Sequence, residues 1–279
     1  MELGTRVRPD WCPGCGNFGI ETAVRDVLVE LGLSRESTVL VSGIGCHGKF
    51  PHFFDTYGYE SIHGRALPVA QAIKLANHDL NVLVDVGDGD CYGIGMGHFV
   101  HAMRRNVDLT VLIHDNRIYG LTTGQASPTT VLGQLTKSTP HGVGEVPVNP
   151  LSLALSSGAG FVARAYPARL EEFKAVLKAA IAYRGLSVID VLQPCVTFNK
   201  GYGYSFYSPK VYSLQEERHD TKDFNAAMSK ALEADRIPLG VFYNFERPTY
   251  EDYLPQMKGE AMVKREGKVD VEGLMGELV

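Results

Sequence analysis

Asp88 and Asn116 are the side chains around which a chemistry can be assembled. Asp88 lies in Gly87-Asp88-Gly89-Asp90, a turn that follows the apolar run 82–86. Ile94, Met96, Phe99, Val100 and Met103 then recur at roughly helical spacing. A second apolar run, 109–113, ends at Asp115-Asn116. The order is strand, acidic glycine turn, helix, strand, polar turn. Two parallel strands joined by a helix place both turns at one edge of a sheet. The crevice outside that edge is where open α/β sheets bind ligands. A carboxylate and an amide oxygen converging there suit a hard divalent cation, Mg²⁺ or Ca²⁺. Backbone N–H groups at Gly89, Asp90 and the helix start suit a phosphate. The sharp reading is a diphosphate held through Mg²⁺. The bland one is a tight turn plus an unrelated cap, since glycine and aspartate crowd ordinary turns.

Five cysteines are the second chemical resource: Cys12, Cys15, Cys46, Cys91 and Cys195. An odd, sparse set without an N-terminal apolar signal core argues against a disulfide framework. Cys12-Pro13-Gly14-Cys15 is a loop CxxC, open to zinc, redox or no special role. Cys46 follows one apolar run and Cys195 another, so both strand ends share the edge that carries Asp88. Four thiolates converging there suit zinc or an iron–sulfur cluster, and spacing alone does not choose. Cys91, entering the helix, reads as a small packed residue.

The elements that must position these groups alternate. Helical patterns cover 18–33, 66–76, 151–157, 170–183 and 223–234; strand-like runs cover 38–42, 82–86, 109–113, 161–165, 186–192 and 237–243. Residues 47–64 read as loop. Residues 117–149 form a connection long enough to be functional or disordered. The expected fold class is α/β, a parallel sheet of about five strands with helices on both faces. The expected division is a binding domain over 1–199 and a C-terminal extension, 200–279, that packs on the same domain or on a partner. The net charge of −5 and the absence of a basic cluster give no case for nucleic acid. No stretch of about 18 uninterrupted apolar residues suggests a membrane span. A cytoplasmic location is the default.

Six blocks in order carry a resemblance: WCPGCGNFGI, SGIGCHGKFPHFF, IHGRALPVAQAIKLAN, VGDGDCYGIGMGHFVHAMRRN, NRIYGLTTGQASPTT and LQPCVTFN. The spacing of GDG to Asp115-Asn116, with residues 90–114 between, resembles the thiamine diphosphate signature. The whole set is similar to the β subunit of the 2-oxoacid:ferredoxin oxidoreductases, from about residue 8 to 200 and more weakly beyond. The resemblance implies the diphosphate-binding type of thiamine diphosphate fold. It implies Mg²⁺ on Asp88, Asn116 and the Ile118 carbonyl, and a [4Fe-4S] cluster on Cys12, Cys15, Cys46 and Cys195. Ile44, Gly45, Cys46, His47, His63, Gly89, Asp90, Gly120 and Leu121 match cofactor-contacting positions. Lys49 matches a lysine that meets the substrate carboxylate, and His47 stands where many relatives have a small residue. It also implies an α subunit that completes the site, as an αβ heterodimer or its dimer, with ferredoxin and coenzyme A as further partners. Thr123 stands where relatives often have lysine or glycine, which leaves substrate choice open. The segment Lys137-Ser138-Thr139-Pro140 favours 2-oxoglutarate, with pyruvate as runner-up. The rival class is a non-redox thiamine enzyme with a structural zinc site.

Overall fold

The computed structural model describes residues 3–265 and 271–276. Eight strands make one sheet: β1 (Thr38–Ser42), β2 (Tyr57–Glu60), β3 (Asn81–Gly87), β4 (Leu109–Asp115), β5 (Phe161–Ala165), β6 (Leu186–Leu192), β7 (Val211–Ser213) and β8 (Ile237–Asn244). Their order is β2-β1-β3-β4-β6-β5-β8-β7. The first six in that order are mutually parallel. β8 runs antiparallel to β5, and β7 is parallel to β8.

The inner strands are buried along their whole length, as a sheet covered on both faces requires. Leu40, Leu83, Leu112 and Ile189 face one layer, with α1 (Asn17–Glu30), while Val39, Val84, Val111 and Val188 face the other. That second layer holds α2 (Ala66–Ala76), α3 (Met96–Arg105) and α4 (Pro150–Ser156). α5 (Leu170–Ala182) lies beside α1, burying Phe173, Val176 and Leu177. The chain continues through α6 (Tyr204–Tyr207), α7 (Phe224–Ala231) and α8 (Val271–Gly276). Asp223 starts α7 by accepting from the N–H groups of Asn225 and Ala226 at 2.8 and 3.1 Å.

Three departures from the sequence reading have physical causes. Residues 47–64 contain a 3₁₀ turn, Phe50–Phe53, and β2, an edge strand whose four residues are all exposed and so lack alternation. The helix after the acidic turn begins with a π-helical turn, Asp90–Ile94, before α3. Residues beyond 199 add two reversed strands to the same sheet, and residues 266–270 and 277–279 of the anticipated extension lie outside the described ones.

The sheet also carries a buried ion pair between neighbouring strands. Arg164 Nε donates to Asp190 Oδ2 at 2.8 Å, and Asp190 is fully buried. Removing only the cation strands a buried carboxylate. Arg164→Met is expected to cost about 3–5 kcal/mol in urea denaturation; a loss below about 1 kcal/mol would show that other groups hold Asp190.

Candidate functional site

The carboxyl ends of β1, β3, β4 and β6 open on two adjoining cavities. One, of about 230 Å³, is lined by residues 44–47, His63, residues 87–90, Asn116 and residues 118–122. The other, of about 260 Å³, is lined by Cys12, Cys15, Cys46 and Cys195 together with Asp10 and Lys49. Ile44, Gly45, Cys46, Asn116, Gly120 and Leu121 line both and form the wall between them. A Cβ on Gly120 would sit 3.3 Å from Cys46 Sγ and 3.9 Å from Cys195 Sγ, so its backbone comes right up to the thiols.

Asp88 is buried at the floor of the first cavity. Ser127 Oγ and Thr129 Oγ1 both donate to its Oδ2, the latter at 2.6 Å. That leaves Oδ1 as the oxygen for a cation. Burial pushes the Asp88 carboxyl up to about 6, against the two hydroxyls that favour its charge. Thr129 Oγ1 also lies 2.9 Å from Asp115 Oδ1. A hydroxyl has one proton to give, so Thr129 serves one of the two carboxylates at a time. Burial, then the nearby Asp190 and Asp88, push the Asp115 carboxyl well up from its ordinary range.

Asn116 Oδ1 accepts the Ile118 N–H at 3.1 Å in an Asx turn, with Arg117 at φ 58° between them. The amide oxygen keeps a second lone pair for a cation. Asn116 Nδ2 donates to Gln193 Oε1 at 3.2 Å, which fixes that orientation. Gly89 is required here for space, because a Cβ would lie 2.2 Å from the Tyr119 ring. Tyr119 Oη donates to the Gly89 carbonyl at 3.0 Å.

Asp90 turns its carboxylate away from the acidic turn. Its Oδ1 accepts from Ile44 N at 3.1 Å, Gly64 N at 2.8 Å and His63 Nδ1 at 2.7 Å, fastening the loops after β1 and β2. His47 is buried, and its Nε2 accepts the Gly87 N–H at 3.1 Å. Burial and the neighbouring His114 push His47 down to about 3, so it is a neutral acceptor that holds the turn. Lys49 stands at the rim of the thiol cavity, paired with Asp10 at 2.7 Å, both well exposed.

The thiol segment is docked by local geometry. Gly14 takes φ 85°, a left-handed turn within the CxxC, and Gly16 packs so closely on Pro194 that a Cβ would lie 2.7 Å from its Cδ. Trp11 Nε1 donates to the Cys46 carbonyl, and its ring packs edge-on against Phe18 and Phe53. Burial pushes the Cys46 thiol up to about 12, with Cys15, Cys195 and Cys12 adding to it. Among the described residues, no three or more His, Cys, Asp or Glu are gathered closely enough for one metal ion. Cys91 is buried elsewhere, in the core.

The structure thus brings together Asp88, Asn116, Ile118, Gly89, Gly120, Leu121, His47 and His63, and separately the four thiols with Lys49. Sequence reasoning assigned no role to Ser127, Thr129, Tyr119 or Gln193. The available signal was the hydroxyl-rich turn Ser127-Pro128-Thr129-Thr130 in an overlong connection. A concavity of about 1250 Å³ beside α5 is lined by mixed charges and apolar groups and gathers no comparable set.

Residues 43–191 match the family described as "Thiamine pyrophosphate enzyme, C-terminal TPP binding domain". Residues 195–259 match the family of C-terminal regions of the pyruvate ferredoxin oxidoreductase beta chain. The chain is 47% identical to the 2-oxoacid:ferredoxin oxidoreductase subunit beta of Saccharolobus solfataricus, over 96% of each chain. It is 50% identical to the 2-oxoglutarate oxidoreductase subunit KorB of Mycobacterium tuberculosis, over 68% of this chain and 51% of the relative. The fold superposes with a TM-score of 0.91 on a 2-oxoglutarate:ferredoxin oxidoreductase from Magnetococcus marinus solved with 2-oxoglutarate, coenzyme A and succinyl-CoA bound. That likeness covers 99% of this chain and 94% of the other, at 36% identity. The chain belongs to the β subunits of the 2-oxoacid:ferredoxin oxidoreductases.

Proposed function

We propose that this chain forms one half of the active site of an enzyme that oxidatively decarboxylates a 2-oxoacid, 2-oxoglutarate ahead of pyruvate. Coenzyme A takes the acyl group and ferredoxin takes the electrons. The observation that carries this is the shared wall: an oxygen-donor cavity and a four-thiol cavity meet at Cys46, Asn116 and Gly120. When bound, thiamine diphosphate supplies the nucleophilic carbon and the electron sink for loss of carbon dioxide, and a [4Fe-4S] cluster supplies a one-electron acceptor.

The donor set fits these groups. Asp88, Asn116 and the Ile118 carbonyl are hard oxygen donors that would hold Mg²⁺. The backbone at Gly89, Asp90, Gly120 and Leu121 would meet the diphosphate end, with Ile44, Gly45, Cys46, His47 and His63 lining the rest. Cys12, Cys15, Cys46 and Cys195 would hold the cluster. Among the described residues no three of these thiols are gathered for one metal ion, as a single zinc with four bonds of about 2.3 Å would require. Lys49 would anchor the substrate carboxylate in exchange for Asp10.

Two observations bear on substrate. Relatives named for 2-oxoglutarate are among the matches. Lys137 Nζ lies 2.8 Å from Thr123 Oγ1, so a cation stands beside position 123 although none occupies it. The thiamine cavity, at about 230 Å³, is smaller than the roughly 300–1,000 Å³ of a complete small-molecule site. A second chain, the α subunit, completes it in an αβ unit or its dimer. No helix among the described residues is long and apolar enough to cross a membrane. The five free cysteines suit the reducing cytoplasm.

Asp88→Ala should weaken retention of thiamine diphosphate with Mg²⁺ by about 100-fold or more, more than is typical when only an outer-shell partner is lost; calorimetric titration giving wild-type affinity would refute its role. The complex purified anaerobically should carry about four irons with acid-labile sulfide per β chain, lost in Cys195→Ser. One tight zinc and no sulfide would sink the redox reading. In anaerobic turnover with several 2-oxoacids, Lys137→Ala should raise KM for 2-oxoglutarate about tenfold, a change of about 1.4 kcal/mol in binding, and leave pyruvate unchanged. Equal effects on both substrates would remove Lys137 from substrate choice.

A further inference from the structure

The two cavities share more than a wall. Gln193, the residue after β6, reaches from one to the other with its side-chain amide. Its Oε1 accepts from Asn116 Nδ2 at 3.2 Å, and its Nε2 donates to Cys15 Sγ at 3.4 Å. Gln193, Asn116 and Cys15 are all buried, so the bonds are made in surroundings that strengthen them. The orientation of both amides is set by a group that cannot be turned over. The Ile118 N–H is backbone, and Asn116 Oδ1 accepts it at 3.1 Å. Asn116 Nδ2 therefore faces Gln193, which answers with its oxygen and presents its amide N–H to the sulfur. Reversing either amide would set donor against donor. The result is a directed chain: Ile118 N–H to Asn116, Asn116 to Gln193, Gln193 to Cys15.

Backbone contacts hold the glutamine in place. Gln193 N donates to the Asp115 carbonyl at 2.9 Å, just past the last pair of β4 with β6. Gly16 N donates to the Pro194 carbonyl at 3.1 Å. A Cβ on Gly16 would lie 3.0 Å from Gln193 Cγ, so the segment after Cys15 is pressed onto the glutamine. Burial pushes the Cys15 thiol up, and the Asn17 N–H and the Gln193 amide pull against it. A hydrogen bond to an ionised acceptor is roughly twice as strong as a neutral one. Donors to the sulfurs of an iron–sulfur cluster set its potential, because each stabilises the more negative, reduced state. At the far end of the chain, a cation on Asn116 Oδ1 draws density from that amide and makes its N–H a better donor. Hydrogen bonds in a row polarise one another.

We infer that Gln193 is a positioning residue that couples the two sites: it aims the Asn116 oxygen at the cation and raises the reduction potential of a cluster on Cys15, so that loading of the oxygen-donor cavity is felt at the sulfur. By linkage, the state of the sulfur is felt equally at the cation. This rests on the two-cofactor reading above.

The test uses the co-expressed two-subunit complex, purified anaerobically. Gln193→Met keeps the length of the side chain and removes both bonds. Redox titration followed by electron paramagnetic resonance should give a potential lower by about 59 mV, a tenfold change in the one-electron equilibrium. Calorimetric titration of the unloaded complex with Mg²⁺ and thiamine diphosphate should show affinity about tenfold weaker, as when a residue that only orients a metal ligand is removed. The shift in potential that loading causes in the wild type should shrink by about half or more. Wild-type potential, affinity or response to loading in the variant would each overturn the coupling. If Gln193→Met holds no cluster, the wild type decides. With isotopically labelled nitrogen in its glutamine side-chain amides, the reduced complex should show a coupled amide nitrogen in pulsed resonance, and none would overturn the bond to Cys15. A wild-type complex with zinc and no sulfide would overturn the proposed function instead. A cluster with full 2-oxoacid oxidation and an indifferent Gln193 would overturn this inference alone.

Discussion

The parallel pairing of β3 with β4 is the constraint on which the rest depends. Leu83 stands opposite Thr110 and Gly87 opposite His114, so both strands run out at the same edge. Asp88 and Asn116 emerge just beyond it. Had the strands been antiparallel, the two donors would lie at opposite ends of the sheet. The flanking strands obey the same register. β1 delivers the loop with Cys46 and β6 delivers Gln193 and Cys195, so the thiols and the oxygen donors come together by topology.

That convergence concentrates polar groups where water is scarce, and one physical cause governs them all. Burial disfavours charge, so Asp88 and Asp115 are pushed up, to about 6 and about 8, and His47 and His114 are pushed down to about 3. Each group is then used in its neutral or hydrogen-bonded form. His47 accepts from Gly87, Ser127 and Thr129 donate to Asp88, and the Thr129 hydroxyl lies between Asp88 and Asp115. A bound cation inverts this logic locally and favours the ionised carboxylate. The long connection from 117 to 149 is therefore ordered by what it supplies: hydroxyls for a carboxylate that would otherwise be stranded.

The division of labour within the acidic turn was not visible in the residue types. Asp88 and Asp90 are two positions apart and look equivalent on paper. The π-helical turn sends Asp90 to the β1 and β2 loops, where it ties Ile44, His63 and Gly64, and leaves Asp88 at the cavity floor. Histidines divide in the same way. His47 is turned inward to a backbone N–H, whereas His63 stays half-exposed at the mouth. β2 was illegible because an exposed edge strand has no apolar alternation to read; β8 was read as a strand at 237–243, but its reversed direction was not, because chain direction leaves no mark on composition.

The sequence by itself determined the alternation of strands and helices, because fully buried strands and amphipathic helices need distinct apolar periods. It also determined the pairing of Asp88 with Asn116, because a strand–helix–strand unit admits one hand. The four thiols and their likeness to a known family were equally plain from the ordered blocks. Only the tertiary structure decided which side chains face the cavities and which hold the turns. It also placed the hydroxyls of Ser127 and Thr129 on a carboxylate some forty positions away, with residues 88, 127 and 129 joined. Those outcomes depend on backbone direction at the strand ends and on space left by glycines, and neither is a property of a residue type taken along the chain.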